Sequence, residues 1–246
     1  MRRVAVLTYH MIEDTRSPLA ISPNEFRGHV EALAASGAPV VAPSRLAERF
    51  AADSAPDAFA ITFDDGFASV AEFAAPILRE HGFPFAVFVV TSRAGRDNDW
   101  PGQPPWVPRR PLLGWDAMGS LAAAGGEIGS HTASHPDLTR LAPNAVIEEM
   151  ERSRRDIAER LGQPPALFAY PGGLSDPASR AAAGTLFAAS FGTRHARMRD
   201  GDDRAGIPRV EICYFREVRG FRRLFSPGID ARLAARRLLR KARRLF

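Results

Sequence analysis

The stretch ITFDDGF, Ile61 to Phe67, closes an apolar run that starts at Phe59 and delivers two adjacent carboxylates, Asp64 and Asp65, onto Gly66. An apolar, aromatic-rich run that stops at Asp-Asp-Gly predicts a buried strand ending in a tight turn. Neighbouring carboxylates repel each other and resist burial together, so a metal ion, an arginine or a shared proton is needed to hold them. Helix capping is the competing explanation, since a carboxylate just before Gly66-Phe67-Ala68 can accept free N–H groups of a following helix. Capping accounts for one aspartate and leaves the other without a reason.

Around this strand, short apolar runs alternate with helical patterns, which predicts an α/β chain with helices packed outside a sheet or barrel. The candidate strands are Val4–Thr8, Pro39–Val41, Phe59–Phe63, Phe85–Thr91, Glu127–Ser130, Leu167–Tyr170, a weaker Ala188–Gly192, and Val210–Tyr214. Ser22-Pro23-Asn24-Glu25 combines an N-cap, a proline at the first helical position and a capping-box glutamate, followed by Phe26, Val30 and Leu33 at helical spacing. Val70, Phe73, Ala74, Ile77 and Leu78 mark a second helix ended by Gly82, and Val146 to Leu161 a third ended by Gly162. Arg93 to Leu113 breaks the rhythm, with five prolines between Pro101 and Pro111 and no period. A loop of that length in a compact domain points to function, and Trp100 and Trp106 offer flat faces for stacking on sugar rings or for sealing a rim.

A chain of 246 residues with 45% hydrophobic content suits one large domain. The single cysteine, Cys213, excludes an intramolecular disulfide and a thiolate-rich metal site, so any metal is held by oxygen and imidazole. MRRVAVLTYH has too few apolar residues for a signal-peptide core or a membrane span, so the expected location is the cytoplasm. The net charge of +5 is a property of the C-terminal end: from Arg209 onward twelve Lys or Arg face three Asp or Glu, leaving the first 208 residues at −4.

Chemistry-bearing residues recur in GSHTASH, where His131 and His135 stand four apart. On a helical turn that spacing puts both imidazoles on one face. With Asp65 they make a two-histidine, one-carboxylate set with open positions for water and substrate, which suits a hydrolytic metal centre. Asp64 is then placed to sit beside the metal and take a proton from water as a general base.

TFDDG (Thr62–Gly66), SHTASHPDL (Ser130–Leu138) and FAYPGG (Phe168–Gly173) together resemble the first three motifs of the polysaccharide deacetylases, a carbohydrate esterase family. The resemblance runs from about Tyr9 to Tyr214. It implies a distorted, incomplete (β/α) barrel of about seven parallel strands over residues 1–222. It further implies that Asp64 is the catalytic base, that Asp65, His131 and His135 bind a divalent metal, and that an acetyl group is removed from an N-acetylated sugar. The metal in the family is commonly zinc, with cobalt, nickel and manganese as alternatives. The substrate implied is a poly- or oligosaccharide or a lipid-linked glycan; related barrels hydrolyse other amides or O-acetyl esters.

By the same resemblance the turn Tyr170-Pro171-Gly172 faces the oxyanion and substrate, with the Tyr170 N–H as the expected oxyanion donor. Many members carry an arginine where this chain has Ala169, so Asp64 is expected to lack its usual partner. That departure motivates a rival reading, a glycan-binding or assembly protein without turnover. Family members that open with a Tyr-His pair imply His10, at the end of the first strand, as the general acid, against the alternative of a core histidine. His195 is the reserve acid, and His29 and His81 are expected at the surface. Arg209 either bridges to the aspartates from a late strand or makes an ordinary surface ion pair.

Residues 223–246 read as a basic amphipathic helix: Ala235, Leu238, Ala242 and Leu245 form a stripe widened by Leu239 and Phe246, with arginines elsewhere. Such a helix can lie on an anionic membrane, here the inner face, pack on the barrel, or dock a partner. The acidic body and the lack of a recognised motif argue against nucleic acid.

Overall fold

The computed structural model describes residues 3–48 and 57–243 and, in the final helix, side chains as far as Leu239. Seven parallel strands run in chain order: β1 (Arg3–Tyr9), β2 (Ala58–Phe63), β3 (Phe85–Val89), β4 (Glu127–Ser130), β5 (Leu167–Ala169), β6 (Ala189–His195) and β7 (Ile207–Glu211). Each pairs with the next, and the ring closes where Leu7 meets Val210 and Thr8 meets Glu211. The barrel is therefore incomplete only in strand number, one fewer than the eight of the common (β/α) barrel.

Side chains alternate across each strand, and the two resulting cores differ in character. Val4, Val6, Ala58, Ala60, Ala86, Phe88, Ala169 and Phe191 fill the barrel interior. Ala5, Leu7, Tyr9, Phe59, Ile61, Phe63, Val87 and Val89 face outward and pack with the helices. The small inward alanines leave room for Phe88, Phe191 and one long polar side chain described below.

The outer layer comprises α1 (Pro23–Ser36), α2 (Ala75–Glu80), α3 (Trp115–Ala123), α4 (Pro143–Leu161), α5 (Pro177–Leu186), α6 (Val218–Phe221) and α7 (Ile229–Arg243). The capping box of α1 forms as the sequence predicts, with Ser22 and Glu25 exchanging hydrogen bonds. A π-turn over Val70–Ala74 leads into α2, where Pro76 has no N–H to give a regular ladder. Neither α3 nor α5 was singled out in the sequence. α3 has no capping side chain, and the α5 box pairs Asp176 with Ser179 rather than with Glu or Gln.

Two strand expectations are corrected. Pro39–Val41 makes only one bridge, Val40 to Phe59, because β3 takes over that edge of β2 from Ile61 onward. The last strand starts three residues earlier than expected, at Ile207, with Pro208 at a register shift, and ends at Glu211, where a 3₁₀ turn begins.

His29, expected at the surface, is fully buried on the inner face of α1. Its Nε2–H donates to the Arg216 carbonyl (2.6 Å), its Nδ1 accepts from the Tyr9 hydroxyl (3.2 Å), and its ring stacks on Phe221 at 4.2 Å. Helix periodicity placed it beside Phe26 and Val30, and those two hydrogen bonds make burial of the neutral ring tolerable. Burial lowers its pKa from 6.5 to about 4. A lowered value means that the neutral ring stabilises the fold fully above pH 6.5, and that this stabilisation is lost as pH falls through about 4. Chemical denaturation should show wild type losing on the order of 3 kcal/mol more between those limits than His29→Gln does. Parallel pH profiles for the two proteins would contradict this.

Candidate active site

On β2 the inward series Ala58, Ala60, Thr62 continues to Asp64, just past the strand end at the mouth of the barrel, its amide donating to the Tyr9 carbonyl (2.9 Å). Asp65 departs from that geometry with φ +69°, and Gly66 follows at +77°. A Cβ on Gly66 would lie 3.1 Å from Val89 Cγ1 and 3.4 Å from its Cα, a tight fit that adds to the conformational reason for glycine there. This left-handed pair of residues sends the two carboxylates to different partners. Neither caps a helix, since the helical segment begins at Val70 without a side-chain cap.

Asp64 meets Arg209, which reaches through the barrel interior from β7 and is fully buried. The contact is bidentate, NH1 to Oδ1 at 2.6 Å and NH2 to Oδ2 at 2.7 Å, while Nε–H donates to the Gly192 carbonyl (2.9 Å). Thus Arg209 is no surface ion pair. The expectation that Ala169 leaves Asp64 without an arginine is also corrected, because the guanidinium comes from a strand distant in sequence. Burial alone would raise the Asp64 pKa, but the charges of Arg209 and His131 outweigh it and hold the carboxyl below its ordinary value.

Asp65 turns toward the histidines. His131 Nε2 and His135 Nε2 each lie 3.4 Å from Asp65 Oδ1, and the three residues offer ligand atoms within 4.8 Å of one another. This is the one such cluster found among the described residues. Burial opposes charge on Asp65, yet hydrogen bonds from both imidazoles drive its pKa far below the usual carboxylate range. Burial and the neighbouring His131 lower the pKa of His135, whereas Asp65 and Asp64 overcome burial and raise that of His131. His131 Nδ1–H donates to the Ala169 carbonyl (2.7 Å), which fixes the ring with Nε2 turned toward Asp65. Two imidazole nitrogens and a carboxylate oxygen gathered in this way fit a divalent cation with open positions.

The histidine pair does not lie on a helical turn. Residues 131–135 form an irregular loop in which Thr132 and His135 have φ of +70° and +62°. Pro136 disfavours the helical region for His135, and the chain instead doubles back. Thr132 Oγ1 accepts the His135 amide (2.9 Å), and Glu149 of α4 accepts from the Ser134 amide (2.9 Å) and hydroxyl (2.8 Å). Among the described residues, the non-glycine positions with positive φ are Asp65, Thr132 and His135, all at this site. Such strain concentrates where surrounding structure over-determines a functional geometry.

Other sequence candidates divide. His10 follows β1, half-buried, near enough for its charge to act on both Asp64 and Asp65. His195 packs against Tyr214 and Phe215, beside residues of α7, and does not join the aspartates. The Tyr170 amide donates to the Phe191 carbonyl (3.1 Å) and so is committed to the sheet, which corrects its assignment as oxyanion donor. Its hydroxyl is likewise taken, by the Ala205 carbonyl (2.6 Å). Beyond buried Pro171, Gly172 is exposed in the turn at φ +59°.

Trp100 is only 4% exposed and stacks on His135 at 4.2 Å, whereas Trp106 is 56% exposed. Their loop is anchored by Arg110 on Glu13 (2.6 Å) and by Asn98, which takes the Arg110 amide and donates to the Pro108 carbonyl. The Glu149 and Glu13 anchors were missed in the sequence, where nothing local distinguishes either glutamate from its charged neighbours.

Comparison with known proteins gives a match to the polysaccharide deacetylase family model over residues 51–190. YxkH of Bacillus subtilis (strain 168), a protein named for that family, is 26% identical over 173 residues. The match covers 70% of this chain and 57% of the relative, so the chain spans little more than half of that protein's length. IcaB from Ammonifex degensii superposes with a TM-score of 0.71 at 26% identity, covering 86% of this chain and 92% of that one. The deacetylase PplD of Streptococcus pyogenes, solved with acetate, shares the fold at TM-score 0.77 and 19% identity, covering 92% and 99%.

The buried Asp64–Arg209 pair predicts a large asymmetry between single and double replacement. Arg209→Met strands a carboxylate in the barrel and should lower stability by about 3–5 kcal/mol in urea titration at neutral pH. Asp64→Asn in the same background should recover most of that loss. A loss below about 1 kcal/mol in the single variant would contradict the geometry.

Proposed function

The chain belongs to the polysaccharide deacetylase family, and from that premise we propose that it is a metal-dependent N-deacetylase acting on an N-acetylated sugar in a polysaccharide, oligosaccharide or lipid-linked glycan. The observation that carries this reading is the division of labour between adjacent carboxylates: Asp65 is turned to two imidazoles, while Asp64 is kept apart on an arginine. A divalent cation held by Asp65, His131 and His135 would supply Lewis-acid polarisation of the acetyl carbonyl and a more acidic attacking water. Zinc suits two imidazoles and one carboxylate with an open position.

The chain's own residues then have distinct tasks. Asp64, ionised and fixed in orientation by Arg209, accepts a proton from the attacking water. Arg209 is a positioning residue, since it acts through Asp64. The N–H of Gly172, an exposed residue in the turn beyond β5, replaces Tyr170 as the donor we assign to the developing oxyanion. His10 returns a proton to the departing amine, so the products are acetate and a free amino sugar. Trp100 holds the His135 ring from its stacked position, and exposed Trp106 is the platform assigned to a neighbouring sugar. The rival reading as a glycan-binding protein drew its motive from Ala169, and Arg209 removes that motive.

Acetate release from acetylated chito-oligosaccharides, measured with and without chelator, tests the assignment. Asp64→Asn should reduce kcat by about 10²–10⁴ with metal content unchanged, whereas Asp65→Asn should lose the metal as well. Activity in Asp64→Asn within about tenfold of wild type would remove Asp64 as the base. Intact metal and sugar binding without acetate release from any acetylated sugar would favour the binding protein.

A further inference from the structure

α7 carries apolar residues against the barrel and, among the described side chains, a second apolar set outside that contact. Ile229 and Leu233 face the barrel, 2% and 1% exposed, within the outer core. Arg236 lies over the Tyr214 ring at 4.5 Å on the same side. At 100° per residue, Leu238 stands about 180°, Ala235 about 120° and Leu239 about 80° around the helix axis from Ile229. All three are exposed, and the two leucines, each at 67%, are among the four large apolar side chains left in solvent by the described residues. Of the rest of the stripe, the side chain of Ala242 and residues Leu245 and Phe246 lie outside the described part.

The helix that carries this face is strongly basic. Ile229–Arg243 contains six basic residues and one acid, Asp230. That acid is turned toward the barrel wall by Arg3, Arg197 and Arg199, away from the exposed arginines. Arg232 and Arg237 are exposed, and by the helical period they lie on either side of the outward leucines. A second copy of the chain would bring the same cations against each other, whereas a surface that is negative and apolar just beneath satisfies both features.

We propose that the outward face of α7 docks on an anionic lipid surface, with Leu238 and Leu239 entering the headgroup boundary and Arg232 and Arg237 meeting lipid phosphates. No helix among the described residues is long and apolar enough to cross a membrane, so the contact is peripheral. α7 climbs the flank of the barrel, from Asp230 beside Arg3 at the start of β1 to Arg236 over Tyr214 just past the end of β7. Docked on this face, the barrel lies on its side, with the rim that carries Asp64 opening along the membrane plane.

Flotation of the full chain with vesicles tests the docking without any turnover. Vesicles of phosphatidylcholine mixed equally with phosphatidylglycerol should carry the protein, and phosphatidylcholine alone should not. Leu238→Ser with Leu239→Ser, and separately Arg232→Gln with Arg237→Gln, should each lower partitioning by about tenfold or more, with thermal unfolding unchanged. Equal recovery on both vesicle types would overturn the proposal. So would a dimer in light scattering that the serine variant dissolves while no vesicle binding is seen, because the face would then be occupied by a second copy.

Discussion

Two carboxylates on consecutive residues cannot both be buried facing the same way, and the site is organised around keeping them apart. The strand period delivers Asp64 inward to Arg209, and the left-handed turn at Asp65 swings the next carboxylate toward His131 and His135. Each anion thereby gains its own compensating groups in a region where an unpaired charge would be very costly. The barrel architecture supplies this separation, since β2, β4 and β7 contribute from different arcs of one closed ring. Removing ring closure would leave Arg209 without a route to Asp64.

The strained backbone at Asp65, Thr132 and His135 has identifiable restraints. Val89 packs closely on Gly66, Glu149 staples Ser134 from α4, and the Ala169 carbonyl fixes the His131 ring from β5. Trp100 closes over His135 at the end of a loop that has no regular structure but several specific anchors. Sites built in this way hold their reactive groups in position before any ligand arrives, which lowers the reorganisation needed during reaction.

The parts of this arrangement legible in the sequence were those encoded locally. Short apolar runs located the barrel strands, Ser22 to Glu25 located the start of α1, and the Asp-Asp-Gly and His-x-x-x-His motifs located the cluster. What the sequence hid was encoded by distance. Arg209 lies 145 residues from Asp64, so the sequence offered their bridge only as one of two readings, and ring closure shows that it fills the place left empty at Ala169. The burial of His29 depended on Tyr9 and Arg216 converging on one ring, and the reading of His131 and His135 as a helical turn failed because Pro136 and the Glu149 staple govern that loop. Spacing gave the pair, but not the backbone that brings it together.

The central claim is that Asp65, His131 and His135 form one coordination shell from which Asp64 is excluded. Anomalous diffraction from a zinc-soaked crystal, recorded on either side of the metal edge, addresses it directly. The account predicts a single peak about 2.0–2.2 Å from an Asp65 oxygen and from the Nε2 atoms of both histidines, with the Asp64–Arg209 pair intact. A peak bridging Asp64 and Asp65, or no peak among these three side chains, would contradict it.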